Sequence, residues 1–107
     1  MIRITDKVAI GENEVDIRFI RASGPGGQNV NKVETAVQLR FDVRRSRSLS
    51  DEIRARLERI AGSRLTKDGV LVLTAQSHRT QLRNKDEAIA RLVALIRQAV
   101  PRPAPRH

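Results

Sequence analysis

The chain has 107 residues, and its 21 lysine and arginine residues against 12 acidic ones give a formal net charge of +9. This length suits one domain with one modest core. The absence of cysteine excludes a disulfide framework, thiolate catalysis and a zinc site of the finger type. No apolar run approaches the roughly 20 residues of a membrane span, and residues 1–7 lack a secretory signal, so the sequence predicts a cytosolic protein without a membrane partner.

The excess of basic residues predicts a polyanionic partner. Arginine supplies 17 of the 21 cations. Its planar guanidinium group suits phosphate contacts and stacking on bases, which favours nucleic acid over a membrane surface. A basic surface that is solvated and has no partner is the alternative.

Three segments have the pattern of β-strands. Apolar and polar residues alternate over residues 14–22 and again over residues 36–43. Asp68-Gly69 is a turn signal, and the continuous β-favouring run of residues 70–75 follows it. That run predicts a third strand in the centre of the sheet.

Two segments have helical spacing of apolar residues. Ser48 or Ser50 can cap the first helix, which weakens or ends at Gly62. Asn84, with Glu87 three residues later, resembles a capping box at the start of the second. Pro101 ends that helix.

The predicted order β-β-α-β-α indicates an α+β fold in which two helices cover one face of a small mixed or antiparallel sheet. The sequence predicts that residues 1–100 form this domain and that residues 101–107 form a disordered Pro/Arg-rich tail.

The sequence offers little conventional catalytic chemistry. Its two histidines, His78 in a loop and His107 in the tail, have no recognisable nucleophile context. An exposed loop histidine is more often solvated than catalytic. Neither histidine has the spacing of a metal ligand, so no metal and no cofactor are expected.

A glycine-rich segment, Ser23-Gly24-Pro25-Gly26-Gly27-Gln28-Asn29-Val30-Asn31-Lys32, follows the first strand. A simple turn explains one or two of its glycines but not three. Asn29 stands where a dinucleotide-binding fingerprint needs its third glycine. Gly24 to Gly27 satisfies the G-x-x-G of a KH domain, but a KH loop joins two helices, and strands flank this one.

Gln28 cannot abstract a proton at neutral pH, but its amide and backbone N–H can orient a water molecule or stabilise an oxyanion. Gly26 and Gly27 have no side chains and would let this tip enter a crowded site formed by another macromolecule.

The segment from Ser23 to Val37 resembles the catalytic Gly-Gly-Gln motif of the class I peptide-chain release factors. A second stretch, residues 76–85, resembles their downstream Arg-Ser-Gln-x-x-Asn-Lys segment, with Thr80 in place of the usual serine. The chain has no room for stop-codon-reading domains, so it looks like the short rescue branch, the codon-independent peptidyl-tRNA hydrolases of the alternative ribosome-rescue factor B type.

The resemblance implies a role for each matching residue. Gln28 would position the hydrolytic water, and it is commonly N5-methylated in this family by a dedicated methyltransferase. Gly26 and Gly27 would allow close approach. Two residues would shape the loop, Gly24 and Pro25; five would support the loop or contact RNA, namely Asn31, Lys32, Thr35, Arg79 and Gln81.

The resemblance also implies partners and location. The partner would be the ribosome, through large-subunit rRNA at the peptidyl transferase centre and P-site peptidyl-tRNA, with the protein acting as a monomer. The location would be the bacterial cytoplasm, with the mitochondrial matrix as the alternative. Relatives of this kind have a longer basic tail, so either the tail of this chain is truncated or this member docks differently. A non-catalytic RNA-binding or ribosome-assembly module with the same basic surface is the competing function.

Overall fold

The computed structural model describes residues 1–21 and 35–101. Two short 3-10 turns, at Glu12–Glu14 and Gly62–Arg64, accompany the regular elements. The strands and helices, in chain order, are β1 (Ile2–Arg3), β2 (Ala9–Ile10), β3 (Val15–Ile20), β4 (Ala36–Asp42), α1 (Asp51–Ala61), β5 (Val70–Ala75) and α2 (Gln81–Ala99).

The main sheet has the order β3-β4-β5, and both pairings are antiparallel. The bounds of all three strands agree closely with the prediction, but the prediction that β5 is central was wrong. It lies at an edge, where Leu65 forms one isolated bridge to Leu71. Val70 and Val72 are half-buried, so the continuous apolar run reflects β propensity and does not require burial on both faces.

The core lies between one face of this sheet and the two helices. Alternate residues of β4 point into it, and Leu39 and Phe41 are fully buried. Helix α2 packs on β4 and β5, while α1 packs against α2. These contacts confirm the α+β prediction with both helices on one side of an antiparallel sheet. Within the described ranges, no helix is long and apolar enough to cross a membrane.

Side-chain oxygens define where both helices begin. Ser50 is the N-cap of α1 and accepts a hydrogen bond from the Ile53 amide at 3.2 Å. Thr80 is the N-cap of α2 and accepts from the Arg83 amide at 3.2 Å. The prediction that Asn84 starts this helix was therefore wrong, because Thr80 supplies the cap one turn earlier.

An N-terminal hairpin that the sequence did not predict precedes the main sheet. Ile2 pairs with Ile10, and the Thr5 hydroxyl accepts the Val8 amide at 3.1 Å within the turn. The Ile4 side chain is buried, and its carbonyl accepts hydrogen bonds from Arg97 near the end of α2. Two-residue strands are too short to show alternation, so the pattern gave no signal.

Glu14 joins this N-terminal region to the loop between β4 and α1. Its carboxylate accepts hydrogen bonds from the Ser46 hydroxyl at 2.6 Å, the Ser48 hydroxyl at 2.5 Å and the Gly11 amide at 2.8 Å. Burial favours the protonated form and is the largest single influence on its pKa. The three hydrogen bonds together outweigh it and hold the pKa of Glu14 below its ordinary value.

This lowered pKa predicts a specific pH dependence of stability. Because the folded state favours the carboxylate, its stabilising contribution is complete above the pKa of Glu14 in the unfolded chain and is lost as pH falls through the lower folded pKa. Glu14→Gln should lower the free energy of unfolding at pH 7 by roughly 1–3 kcal/mol. Denaturant titrations between pH 7 and pH 3 should show this difference shrinking at the acidic end.

Glu12→Gln is the matched control, since Glu12 is exposed and pairs only loosely with the N-terminal amine at 3.9 Å. It should change stability by less than about 0.5 kcal/mol at any of these pH values. A difference between wild type and Glu14→Gln that stayed constant with pH would contradict the assignment.

Candidate functional site

The predicted site residues fall into two groups. Thr35, Arg79 and Gln81 lie within the described part of the chain. The others lie outside the described residues, namely Gly24, Pro25, Gly26, Gly27, Gln28, Asn31 and Lys32.

The residues that flank the glycine-rich segment meet at one end of the sheet. Strand β3 ends at Ile20 and β4 begins at Ala36, and these two residues are direct partners across the antiparallel pair. The chain therefore leaves the sheet for this segment and re-enters it at a single place.

The second motif begins at the same end of the sheet. Ala75, the last residue of β5, is paired with Val37 near the start of β4. Residues 76–80 then connect β5 to the first turn of α2. The antiparallel order thus brings together two motifs that are far apart in the sequence.

Asn84 forms a direct link between the two motifs. Its side chain is fully buried in the first turns of α2. Its Nδ2 group donates hydrogen bonds to the Thr35 carbonyl at 2.7 Å and to the His78 carbonyl at 3.0 Å. Its Oδ1 atom accepts the His78 amide at 3.0 Å. One amide group therefore binds both the start of β4 and the loop after β5.

His78 is held through its side chain as well as its backbone. The Nε2 atom lies 3.4 Å from a Glu87 carboxylate oxygen, and the other Glu87 oxygen pairs with Arg91 at 3.2 Å. The sequence suggested that Glu87 completes a capping box with Asn84. That prediction was wrong, because Glu87 pairs with His78 and Arg91 instead. These contacts hold the His78 backbone and ring against α2, so they assign this residue a structural role in the loop.

Polar and basic side chains face solvent beside this junction. Arg79 is exposed in the loop, Gln81 is exposed as the first residue of α2, and Arg83 is exposed two residues further. Exposed guanidinium groups around a loop junction suit contact with phosphates. Such an arrangement can dock on nucleic acid.

The described residues show no metal centre. Across residues 1–21 and 35–101, no group of three or more histidine, cysteine, aspartate or glutamate side chains could hold a metal ion. What the described part of the site does show is a set of hydrogen bonds from Asn84 that position backbone groups.

Sequence reasoning missed the role of Asn84, although a signal was present. Asn84 lies four residues before Ala88, which is followed at the same spacing by Leu92 and Ile96, and all four are fully buried. A polar residue on the apolar stripe of a helix must find hydrogen-bond partners in the interior. That position therefore indicated an internal hydrogen-bonding group.

Known proteins resemble this chain over most of its length. The RF-1 domain family matches residues 3–105. The chain is 48% identical over 96 residues to Peptidyl-tRNA hydrolase ArfB of Pseudomonas putida, which covers 90% of this chain and 69% of that protein. It is 34% identical over 87 residues to Large ribosomal subunit protein mL62 of Mus musculus, covering 81% and 42% respectively.

A longer relative is matched over a smaller share of its length. The chain is 31% identical over 102 residues to Peptide chain release factor 2 of Rhodococcus erythropolis, covering 92% of this chain and 21% of that protein. The region of similarity is therefore one unit within a larger protein in that case.

The Asn84 link predicts slow hydrogen exchange at one loop amide. The His78 amide donates to a buried oxygen and should exchange at least about tenfold more slowly than the amides of exposed Ser77 and Arg79, after correction for intrinsic rates. Amide exchange followed by NMR measures this directly. Equal corrected rates at the three amides would show that the bond to Asn84 is not persistent in solution.

Proposed function

The chain belongs to the RF-1 domain family, and we propose that it is a codon-independent peptidyl-tRNA hydrolase that releases nascent chains from stalled ribosomes. The observation that carries this proposal is the meeting of the two family-like motifs at one end of the sheet, where Asn84 joins them. The similarity to Peptidyl-tRNA hydrolase ArfB over 90% of the chain supports the choice of reaction.

The reaction is hydrolysis of the ester between the nascent peptide and the tRNA ribose. Water adds to the ester carbonyl carbon, the bond to the ribose oxygen breaks, and that oxygen leaves as a hydroxyl group after taking up a proton. Gln28 orients the attacking water, and its donors stabilise the oxyanion that forms. Gly26 and Gly27 allow this tip to approach the ester closely.

The proposed partner is the ribosome, and the contacts are with large-subunit rRNA at the peptidyl transferase centre and with P-site peptidyl-tRNA. The net charge of +9 favours such docking. Arg79 and Gln81 are exposed beside the junction and contact RNA in this proposal. Asn31, Lys32 and Thr35 support the loop, and the hydrogen bond to the Thr35 carbonyl supports that role for Thr35. Gly24 and Pro25 shape the approach.

Three further features belong to the proposal. The protein acts as a monomer, because one copy carries both motifs. Gln28 is a substrate for a glutamine N5-methyltransferase. The protein works in the compartment that holds its ribosome, the bacterial cytoplasm or the mitochondrial matrix, and the bacterial relative favours the first.

Gln28→Ala tests the assignment of the reaction. Peptide release from ribosomes stalled on a message without a stop codon should fall by roughly 10² or more, because water positioning and oxyanion donation are both lost. Binding to the stalled ribosomes should remain within about threefold of wild type. Labelled peptide release and ribosome co-sedimentation measure the two quantities, with and without a basic C-terminal extension.

Gln98→Ala is the matched control, since Gln98 is an exposed glutamine near the end of α2. It should leave release and binding unchanged. Release at wild-type rates by Gln28→Ala would contradict the proposed chemistry. Binding to ribosomes with no release by any version would favour the non-catalytic RNA-binding function instead.

The salt dependence of ribosome binding tests RNA docking. Neutralising several phosphates should make the logarithm of affinity fall steeply and linearly with the logarithm of salt concentration. Arg79→Ala should reduce that slope by about one unit. Arg3→Ala should leave the slope unchanged, because Arg3 pairs with Asp6 in the N-terminal hairpin. That hairpin lies at the other end of α2 from Arg79, where the Ile4 carbonyl accepts a hydrogen bond from Arg97. A slope near zero for wild type would rule out docking through phosphates.

A further inference from the structure

Asn84 is one of two buried polar side chains in the described part of the chain, the other being Ser46. Among the described residues, its side chain forms three hydrogen bonds, and all of them go to backbone groups outside its own helix. Two of those groups belong to His78 and one to Thr35. Its neighbours on the same helix stripe, Ala88 and Leu92, are buried and apolar.

Formation of α2 does not require Asn84. Thr80 already caps the helix, and asparagine is a weaker helix former than alanine in such a position. What the asparagine does provide is satisfaction of three backbone groups, each of which would cost roughly 1–3 kcal/mol if buried without a partner. The contribution of Asn84 is therefore to hold the backbone groups of Thr35 and His78 in place.

The Thr35 carbonyl is the informative partner. Thr35 directly precedes β4, and it follows the segment that contains Gln28. The bond to Asn84 is the shortest of the three, at 2.7 Å. It fixes the backbone at the point where that segment rejoins the sheet, and it ties this point to the loop that carries Arg79.

We propose that Asn84 is a positioning residue for the Gly26-Gly27-Gln28 segment, acting through the Thr35 carbonyl rather than by contact with the substrate. The inference rests on the hydrolase function proposed above. A displacement of about 1 Å at a reacting group can cost roughly 10²-fold in rate. Loss of the link should therefore lower the rate of ester hydrolysis on the ribosome more than it lowers ribosome binding.

Asn84→Asp is the sharpest variant because it has nearly the same shape. It keeps an oxygen that can accept the His78 amide, and it removes both donors to the Thr35 and His78 carbonyls. Single-turnover peptide release should show a rate constant at saturation that falls roughly 10- to 100-fold, with a half-saturating concentration within about threefold of wild type. Asn84→Ser retains one donor on a shorter side chain, and its rate constant at saturation should lie between those of wild type and Asn84→Asp.

Ser50→Ala is the control for general destabilisation. It removes the cap of α1, which has no hydrogen bond to Thr35 or His78, and typically costs about 1 kcal/mol. Under excess protein, partial unfolding lowers the effective concentration without changing the saturated rate, so Ser50→Ala should keep that rate. An Asn84→Asp rate equal to that of Ser50→Ala would overturn the positioning role.

Hydrogen exchange separates this inference from the proposed function. In Asn84→Asp, which loses the donor to the Thr35 carbonyl, peptides that cover Thr35 and the start of β4 should exchange faster than in Ser50→Ala. In Asn84→Ser, which is used if the aspartate variant does not fold, peptides that cover His78 should exchange faster as well, because the shorter side chain loses the oxygen that accepts the His78 amide. Unchanged exchange would overturn the inference even if wild type is active. If wild type releases no peptide, the proposed hydrolase function fails, and the exchange result alone decides whether Asn84 holds this junction.

Discussion

The central place of β4 is the constraint on which the rest of the structure depends. Its antiparallel pairing with β3 makes Ile20 and Ala36 direct partners, and its pairing with β5 places Ala75 beside Val37. A shift of one residue in either register would turn the buried face of β4 toward solvent. The apolar face that packs on α2 therefore fixes the register, and the register brings the two motifs to one end of the sheet.

The buried amide of Asn84 adds a direct link between the two motifs that the strand register brings together. Pairing of strands places the start of β4 near the loop after β5, and three hydrogen bonds from one side chain join them. Positioning by one buried side chain suits a domain whose proposed substrate is held by the ribosome. Such a domain needs a precisely placed tip and a basic surface for docking.

Much of this arrangement could be predicted from the sequence. Alternation over β3 and β4, the turn signal at Gly69 and the apolar stripe of α2 were sufficient for the strands, the helices and the α+β class. The prediction failed where one residue type is compatible with two structural roles. Asn84 suits a helix cap and also a buried link. Its place on the apolar stripe of α2 favoured the link, and the structure decides for it because Thr80 caps the helix. The hairpin was missed because two-residue strands have no period, and the central place assigned to β5 was wrong because sheet order is a long-range property.

The proposed site is complete only on the ribosome, and a comparison of two substrates can test this. Hydrolysis by the wild-type chain would be measured for peptidyl-tRNA held in the P site of stalled ribosomes and for the same peptidyl-tRNA free in solution. We expect rapid release from the ribosomes and no release above the spontaneous rate from the free ester. Equal hydrolysis of both substrates would contradict it, since the domain would then carry a complete catalytic site by itself.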